Sequence, residues 1–91
     1  MLRVTVKEER GRATLHLEGV LAGPWVFEVE RCWQDTKVCP EHVIVDLSEV
    51  LSLDGAGREL LEQMHAAGTQ LRGEGLLVEY ILEQIHQKHI A

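Results

Sequence analysis

The segment Asp46-Leu47-Ser48-Glu49-Val50-Leu51-Ser52-Leu53-Asp54-Gly55-Ala56-Gly57 gathers the polar groups with the clearest capacity for recognition. Asp54 stands where a helix N-cap belongs. A short acidic side chain there accepts hydrogen bonds from the free N–H groups of the first turn. Gly55, Ala56 and Gly57 follow, and Arg58 lies one turn in. Small residues at a helix start leave a shallow, open surface that admits a partner's helix or loop. The free N–H groups could also attract an anion, but the charge of Asp54 beside them disfavours it. Ser48 reads as a local turn residue that bonds backbone. Ser52, two positions before Asp54, is the other nearby hydroxyl.

Other reactive side chains form weaker sets. His86 and His89 are three apart on one helical stretch and could share a face, but no third ligand accompanies them, so they read as a solvated helix end. His65 with Glu62 reads as a helix-surface pair, and His16 falls on a polar strand position. Cys32 and Cys39 are seven apart, not a CxxC pair. Free thiols are the default for two such cysteines, with a Cys32–Cys39 bridge as the alternative. No Ser-His-Asp order with a glycine elbow, no phosphate-cradling loop and no motif-bearing carboxylate pair occurs. The expectation is a protein without catalysis, metal or cofactor.

These residues need elements to hold them. Leu2, Val4 and Val6 alternate with Arg3, Thr5 and Lys7, which predicts a half-buried strand. After a polar turn at 8–11, Ala13, Leu15 and Leu17 alternate in a second strand, and the two suggest an antiparallel hairpin. Residues 19–24 contain two glycines and a proline and read as a loop. Trp25, Val29, Cys32 and Trp33 fall at helical spacing, predicting a helix to about Asp35. Trp33 is expected in the core, while Trp25 is either a hydrophobic staple or an exposed contact.

The run Val43-Ile44-Val45 predicts a central strand over 42–47, covered on both faces. A helix follows from Gly55 or Ala56 to about Ala67, with Leu60, Leu61, Met64 and Ala67 inward and Arg58, Glu59, Glu62 and Gln63 outward. Gly68 suits its C-terminal cap. A weak strand at 69–72 and a helix over 76–89, with Leu77, Val78, Ile81, Leu82 and Ile85 apolar, complete the order β-β-α-β-α-β-α. This predicts one α/β domain over 1–91, with a mixed sheet of about four strands and about three helices mainly on one face.

The chain has 91 residues, room for one modest core. Hydrophobic content of 45% argues against disorder. A net charge of −6 argues against general nucleic-acid binding and against anionic lipid, both of which require clustered Lys and Arg. A basic protein partner is compatible with it, although solubility alone accounts for such acidity. The N-terminus alternates like a strand instead of carrying a signal-peptide core. No apolar run approaches the roughly 20 residues that span a bilayer. A cytoplasmic protein without membrane insertion is expected, and the broad apolar face of the last helix allows a homodimer.

The ordered set Asp46, Leu47, Ser48, Val50, Asp54 and Gly57 resembles the signature of STAS domains, the family of bacterial anti-sigma-factor antagonists. In that family a buried strand ends in Asp-Leu-Ser, and Asp-Ser-Ser/Thr-Gly opens the next helix. The strand and helix order fits over nearly the whole chain. The resemblance implies a non-enzymatic interaction domain that binds an anti-sigma factor or kinase-like partner through Asp54, Gly55, Ala56, Gly57 and Arg58. Family members are switched off by phosphorylation of the first Ser after the Asp. Here that position is Gly55 and the next is Ala56, so no hydroxyl exists to carry the charge of about −1.5 to −2. The domain is therefore unswitched or switched elsewhere, with Ser52 the candidate. Arg58 replaces an apolar residue common in the family. Two alternative readings are a STAS-like accessory subunit paired with the ATPase of an ABC lipid-transport system, and a small-ligand-binding domain.

Overall fold

The computed structural model of the chain describes the backbone of residues 1–90 and the side chains of residues 1–75 and 78–85. It is an α/β structure with the element order β1 (Leu2–Glu9), β2 (Arg12–Leu21), α1 (Trp25–Asp35), β3 (Val43–Leu53), α2 (Gly55–Ala66), β4 (Gln70–Arg72) and α3 (Leu76–Ile90). A short 3₁₀ turn, Pro40–His42, precedes β3. The four strands lie in the order β1-β2-β3-β4. β1 pairs antiparallel with β2, while β2–β3 and β3–β4 are parallel, the arrangement that crossover helices impose. No helix among the described residues is long and apolar enough to cross a membrane.

Period-two alternation settles which face is buried. Ala13, Leu15 and Leu17 of β2 share with Val43, Val45 and Leu47 of β3 the face that packs under the helices, and all six are buried. The opposite face carries Thr5, Thr14, His16, Ile44 and Asp46 and remains open to solvent. The expectation that β3 is covered on both faces is therefore corrected. β3 is central in the sheet, but Ile44 is half-buried on the uncovered side. All three helices share one layer, so only one face receives cover.

Two strands run further than their sequence predicts. β2 continues through Gly19 to Leu21, where a loop was expected. Gly19 has φ 111°, and a Cβ there would collide with the Met1 carbonyl, so only glycine keeps the strand paired on both sides. β3 runs to Leu53 rather than Leu47. Its register against β2 slips twice. His16 pairs with Asp46 but Glu18 with Glu49, and Gly19 pairs with Val50 but Val20 with Ser52. Each slip inserts one extra residue into β3, which is a β-bulge. The first breaks the alternation after Leu47 and puts Val50, three positions on, back inside at 7% exposure. The second leaves Leu51 without a partner on β2 and turns it outward at 73% exposure.

The helices bury narrow stripes. In α1 the buried residues are Val26 and Val29, with Cys32 and Trp33 half-buried. Trp25 is exposed, the second of the two roles open to it, and Val26 takes the inward position one residue later. In α2 the stripe is Gly57, Leu60, Leu61 and Met64. Ala67, expected inside, is the exposed C-cap residue. Gly68 follows with φ 96°, and the bonds Thr69 N–H to Met64 carbonyl (2.9 Å) and Gly68 N–H to His65 carbonyl (3.1 Å) complete a Schellman stop. In α3, Val78, Ile81 and Ile85 are buried and Leu82 packs against the core, while the side chain of Leu77 lies outside the described residues.

Thr69 is the one buried polar residue among those described, at 2% exposure. Its hydroxyl accepts from the Trp33 indole N–H (2.9 Å) and donates to the Pro40 carbonyl (2.8 Å). One hydroxyl thus ties α1, the turn before β3 and the start of β4. Replacing Thr69 by Val keeps the shape and strips both bonds. The expected loss is about 1–3 kcal/mol, the cost of leaving a buried donor and acceptor unsatisfied, read as a lowered midpoint in urea denaturation.

Candidate functional site

Asp54 ends β3 and caps α2, as the sequence predicts. Its Oδ1 accepts from the Gly57 N–H at 2.8 Å. Its Oδ2 reaches across the chain to the Gly23 N–H at 3.0 Å, in the loop between β2 and α1. The Asp54 N–H donates to the Leu21 carbonyl at 3.2 Å. The helix start is therefore fastened to the end of β2 and to the approach to α1. The Gly23 N–H and then the Gly57 N–H hold the Asp54 carboxyl below its ordinary 3.8, because both bonds favour the charged form.

The three small residues after Asp54 play different parts. Gly55 and Ala56 are exposed, and a Cβ built on Gly55 meets nothing within 4 Å. Gly57 is buried. A Cβ there would run into the Leu21 carbonyl oxygen and would lie 3.0 Å from Leu21 Cγ and 3.3 Å from Leu53 Cβ. Gly57 is thus a packing residue under the site, whereas Gly55 and Ala56 are its surface. Arg58, expected to face outward, is half-buried and ties α2 to α3. Its guanidinium donates to Gln84 Oε1, Gln84 donates to the Tyr80 hydroxyl (2.6 Å), and Arg58 Nε lies 3.6 Å from Glu62. Ser52 is exposed.

Two further apolar side chains are exposed, Leu51 close to Asp54 in the chain and Phe27 across from Ala56. Leu51 projects from the second bulge, three residues before Asp54. Phe27 is 74% exposed on α1 and shares with Ala56, Glu59, Leu60 and Gln63 a depression between α1 and α2. The parity break from Leu47 to Val50 is a sequence signal for the bulges. For Phe27, the signal is an aromatic residue off the stripe formed by Val26 and Val29.

The depression holds about 160 Å³, below the range of ordinary small-molecule pockets. A larger cleft, of 580 Å³, lies at the other end of α2 among His65, Gly68, Leu71 and Ile85. The start of α2 is therefore a surface, not a cavity. No group of three or more metal-binding side chains occurs among the described residues. The side chains of His86 and His89 lie outside the described residues. Cys32 is half-buried and Cys39 exposed, both as free thiols.

Asp46, Ser48 and His16 form a separate polar group on the open sheet face. Asp46 Oδ1 accepts from the Ser48 backbone N–H at 2.9 Å, so the side chain that closes this turn is that of Asp46, and Oδ2 lies 3.2 Å from His16 Nδ1. His16 Nε2 is 3.6 Å from Glu18. Partial burial pushes the Asp46 carboxyl up, and the Ser48 backbone and hydroxyl bonds together with His16 outweigh it, leaving the group below 3.8.

Both depressed carboxyls give stability that is fully present above the unfolded-state value of about 3.9 and is lost as pH falls through the lower folded value. Urea midpoints measured from about pH 6 down to pH 2 are expected to stay level and then fall below about pH 4. An Asp54→Asn chain keeps a capping oxygen but loses the charge, so its midpoint is expected to be lower at neutral pH and to decline less in acid.

The chain matches no family model, and no curated protein matches it. It is similar to solved crystal structures of Mglu. One is 26% identical with a TM-score of 0.59, over 79% of this chain and 19% of that one. Mglu in its native form is 22% identical with a TM-score of 0.56, over 76% of this chain and 22% of that one. The native form in 4.3 M NaCl is 20% identical with a TM-score of 0.54, over 87% and 27%. The chain thus spans about a quarter or less of the Mglu chains, and the likeness concerns the fold.

Proposed function

We propose that this chain is a non-enzymatic, cytoplasmic interaction domain that resembles the anti-sigma-factor antagonists of the STAS family. It binds an anti-sigma factor or kinase-like protein at the start of α2. The observation that carries the reading is the exposed ensemble there. Gly55 and Ala56 lie open on a helix start pinned by Asp54, and a strand bulge exposes the apolar Leu51 three residues before that cap. Bulges that re-aim a side chain gather next to functional sites, and an exposed apolar side chain offers area that a partner can remove from water. Gly55 denies the usual phosphate acceptor, so binding is constitutive at that position. Ser52 is exposed and is the hydroxyl through which a charge could still be added.

The test is capture of histidine-kinase-like proteins from the source organism with the folded chain as bait, followed by Leu51→Asp. Leu51 contributes little to the core, so the variant is expected to keep its melting temperature. Its affinity is expected to fall about tenfold or more, or at least about 1.4 kcal/mol. Failure of the folded bait to recover any kinase-like protein overturns the reading.

A further inference from the structure

β1 is an edge strand of eight residues. Its pairing with β2 determines which backbone groups are left over. The Met1 carbonyl accepts from the Val20 N–H at 3.1 Å. By the two-residue alternation of an antiparallel ladder, Arg3, Thr5 and Lys7 also direct their backbone groups at β2, and Leu2, Val4, Val6 and Glu8 direct theirs away from it. The side chains of Leu2, Val4 and Val6 lie on the helix-covered face, where Val4 pairs with Leu17 and Val6 with Leu15. The cover is incomplete. Val6 is 43% exposed, and a 410 Å³ cleft lined by Leu2, Val4, Trp25 and Cys32 opens between β1 and α1. A free ladder edge and an unfinished apolar row therefore coincide along one strand, the feature that templates further pairing.

From this we infer that β1 is a dimer interface, and that its occupant is β1 of a second copy of this chain. A two-fold antiparallel pairing must oppose residues whose backbone groups point outward, which limits the register. With the axis at Arg3, the two Arg3 side chains face one another. With the axis at Thr5, Arg3 faces Lys7 and Leu2 faces Glu8. With the axis at Val6, Val4 faces Glu8. The axis at Val4 sets Leu2 opposite Val6 and Val4 opposite Val4 on the helix face, and Arg3 opposite Thr5 on the open face. It alone of the four opposes apolar with apolar and no like charges, which cross-strand energetics favour. The interface is isologous, as closed dimers require. It joins two sheets into one of eight strands, with the α1 helices flanking the axis and covering Val6 and the cleft.

Sedimentation equilibrium over a concentration series is expected to show twice the chain mass. Val4→Pro removes an N–H that points off the edge and leaves the β1–β2 ladder whole, a position where an edge strand tolerates proline. This variant is expected to sediment as a monomer with an unchanged circular dichroism spectrum. Independently of its folding, Val4→Cys in a Cys32→Ala, Cys39→Ala background places two thiols directly opposite across the axis. Their Cα separation of about 5.5 Å suits a disulfide. Oxidation is expected to cross-link Val4→Cys about tenfold or more faster than Thr5→Cys or Val6→Cys in the same background. A monomer mass throughout the series, or equal cross-linking rates at the three positions, overturns the inference.

Discussion

The Gly57→Ala chain is expected to melt about 8–16 °C below the parent. The added methyl group would strike the Leu21 carbonyl oxygen and crowd Leu21 Cγ and Leu53 Cβ. Backbone cannot swing aside as a flexible side chain does, so α2 must lift from the end of β2. Overpacking of this kind costs about 3 kcal/mol at the upper end of its usual range. Alanine returns at most about 1 kcal/mol in helix propensity. The net loss is about 2 kcal/mol, and each kcal/mol lowers Tm by about 4–8 °C in a domain of this size. Gly55→Ala provides the contrast. Its Cβ enters open space, and its Tm is expected to stay within the small range of ordinary surface changes, about 0.5 kcal/mol. Thermal denaturation of both variants followed by circular dichroism checks the pair. Equal Tm values would mean that α2 is not seated on β2 through Gly57.

Gly55→Asp is expected to leave stability intact and to abolish partner binding. The new side chain has space, and an acid in the first turn of a helix sits favourably in its dipole. Beside Asp54 it sets a second negative charge at the centre of the surface proposed to meet a partner. Burying such a charge without a counter-ion costs several kcal/mol, enough to weaken binding about a hundredfold or more. The comparison is between melting temperature and affinity for the captured partner, measured by calorimetry on the same preparation. Unchanged affinity would place the binding surface away from the start of α2.

The elements were legible where one period ran without interruption. The alternation of Leu2-Val4-Val6 and Ala13-Leu15-Leu17 and the helical spacing of Leu60, Leu61 and Met64 lead directly to β1, β2 and α2. The N-cap of Asp54 was legible too, because capping is a local interaction between residues three apart. The readings failed where distant residues decide. Gly19 looks like a loop residue until β1 and β3 are placed on either side of it. The sequence places the end of β3 at Leu47 because two bulges disrupt its period, and those bulges follow from the register with β2. The sequence leaves Trp25 open between a staple and an exposed contact, and the direction from which α1 meets the sheet decides it by turning Val26 inward. At the site, the packing role of Gly57 and the outward turn of Leu51 both depend on the end of β2, a segment distant in the chain.

The two oxygens of Asp54 have a consequence for communication within the domain. One holds the first turn of α2, and the other holds the backbone that leads into α1. A ligand that draws the carboxylate toward itself must weaken one grip or both. The approach to α1 and the start of α2 therefore share a single free-energy term. A ligand that loosens the Gly23 loop would therefore bind less tightly to a chain in which that loop is held more firmly. One carboxylate thus caps α2 and also ties it to the approach to α1.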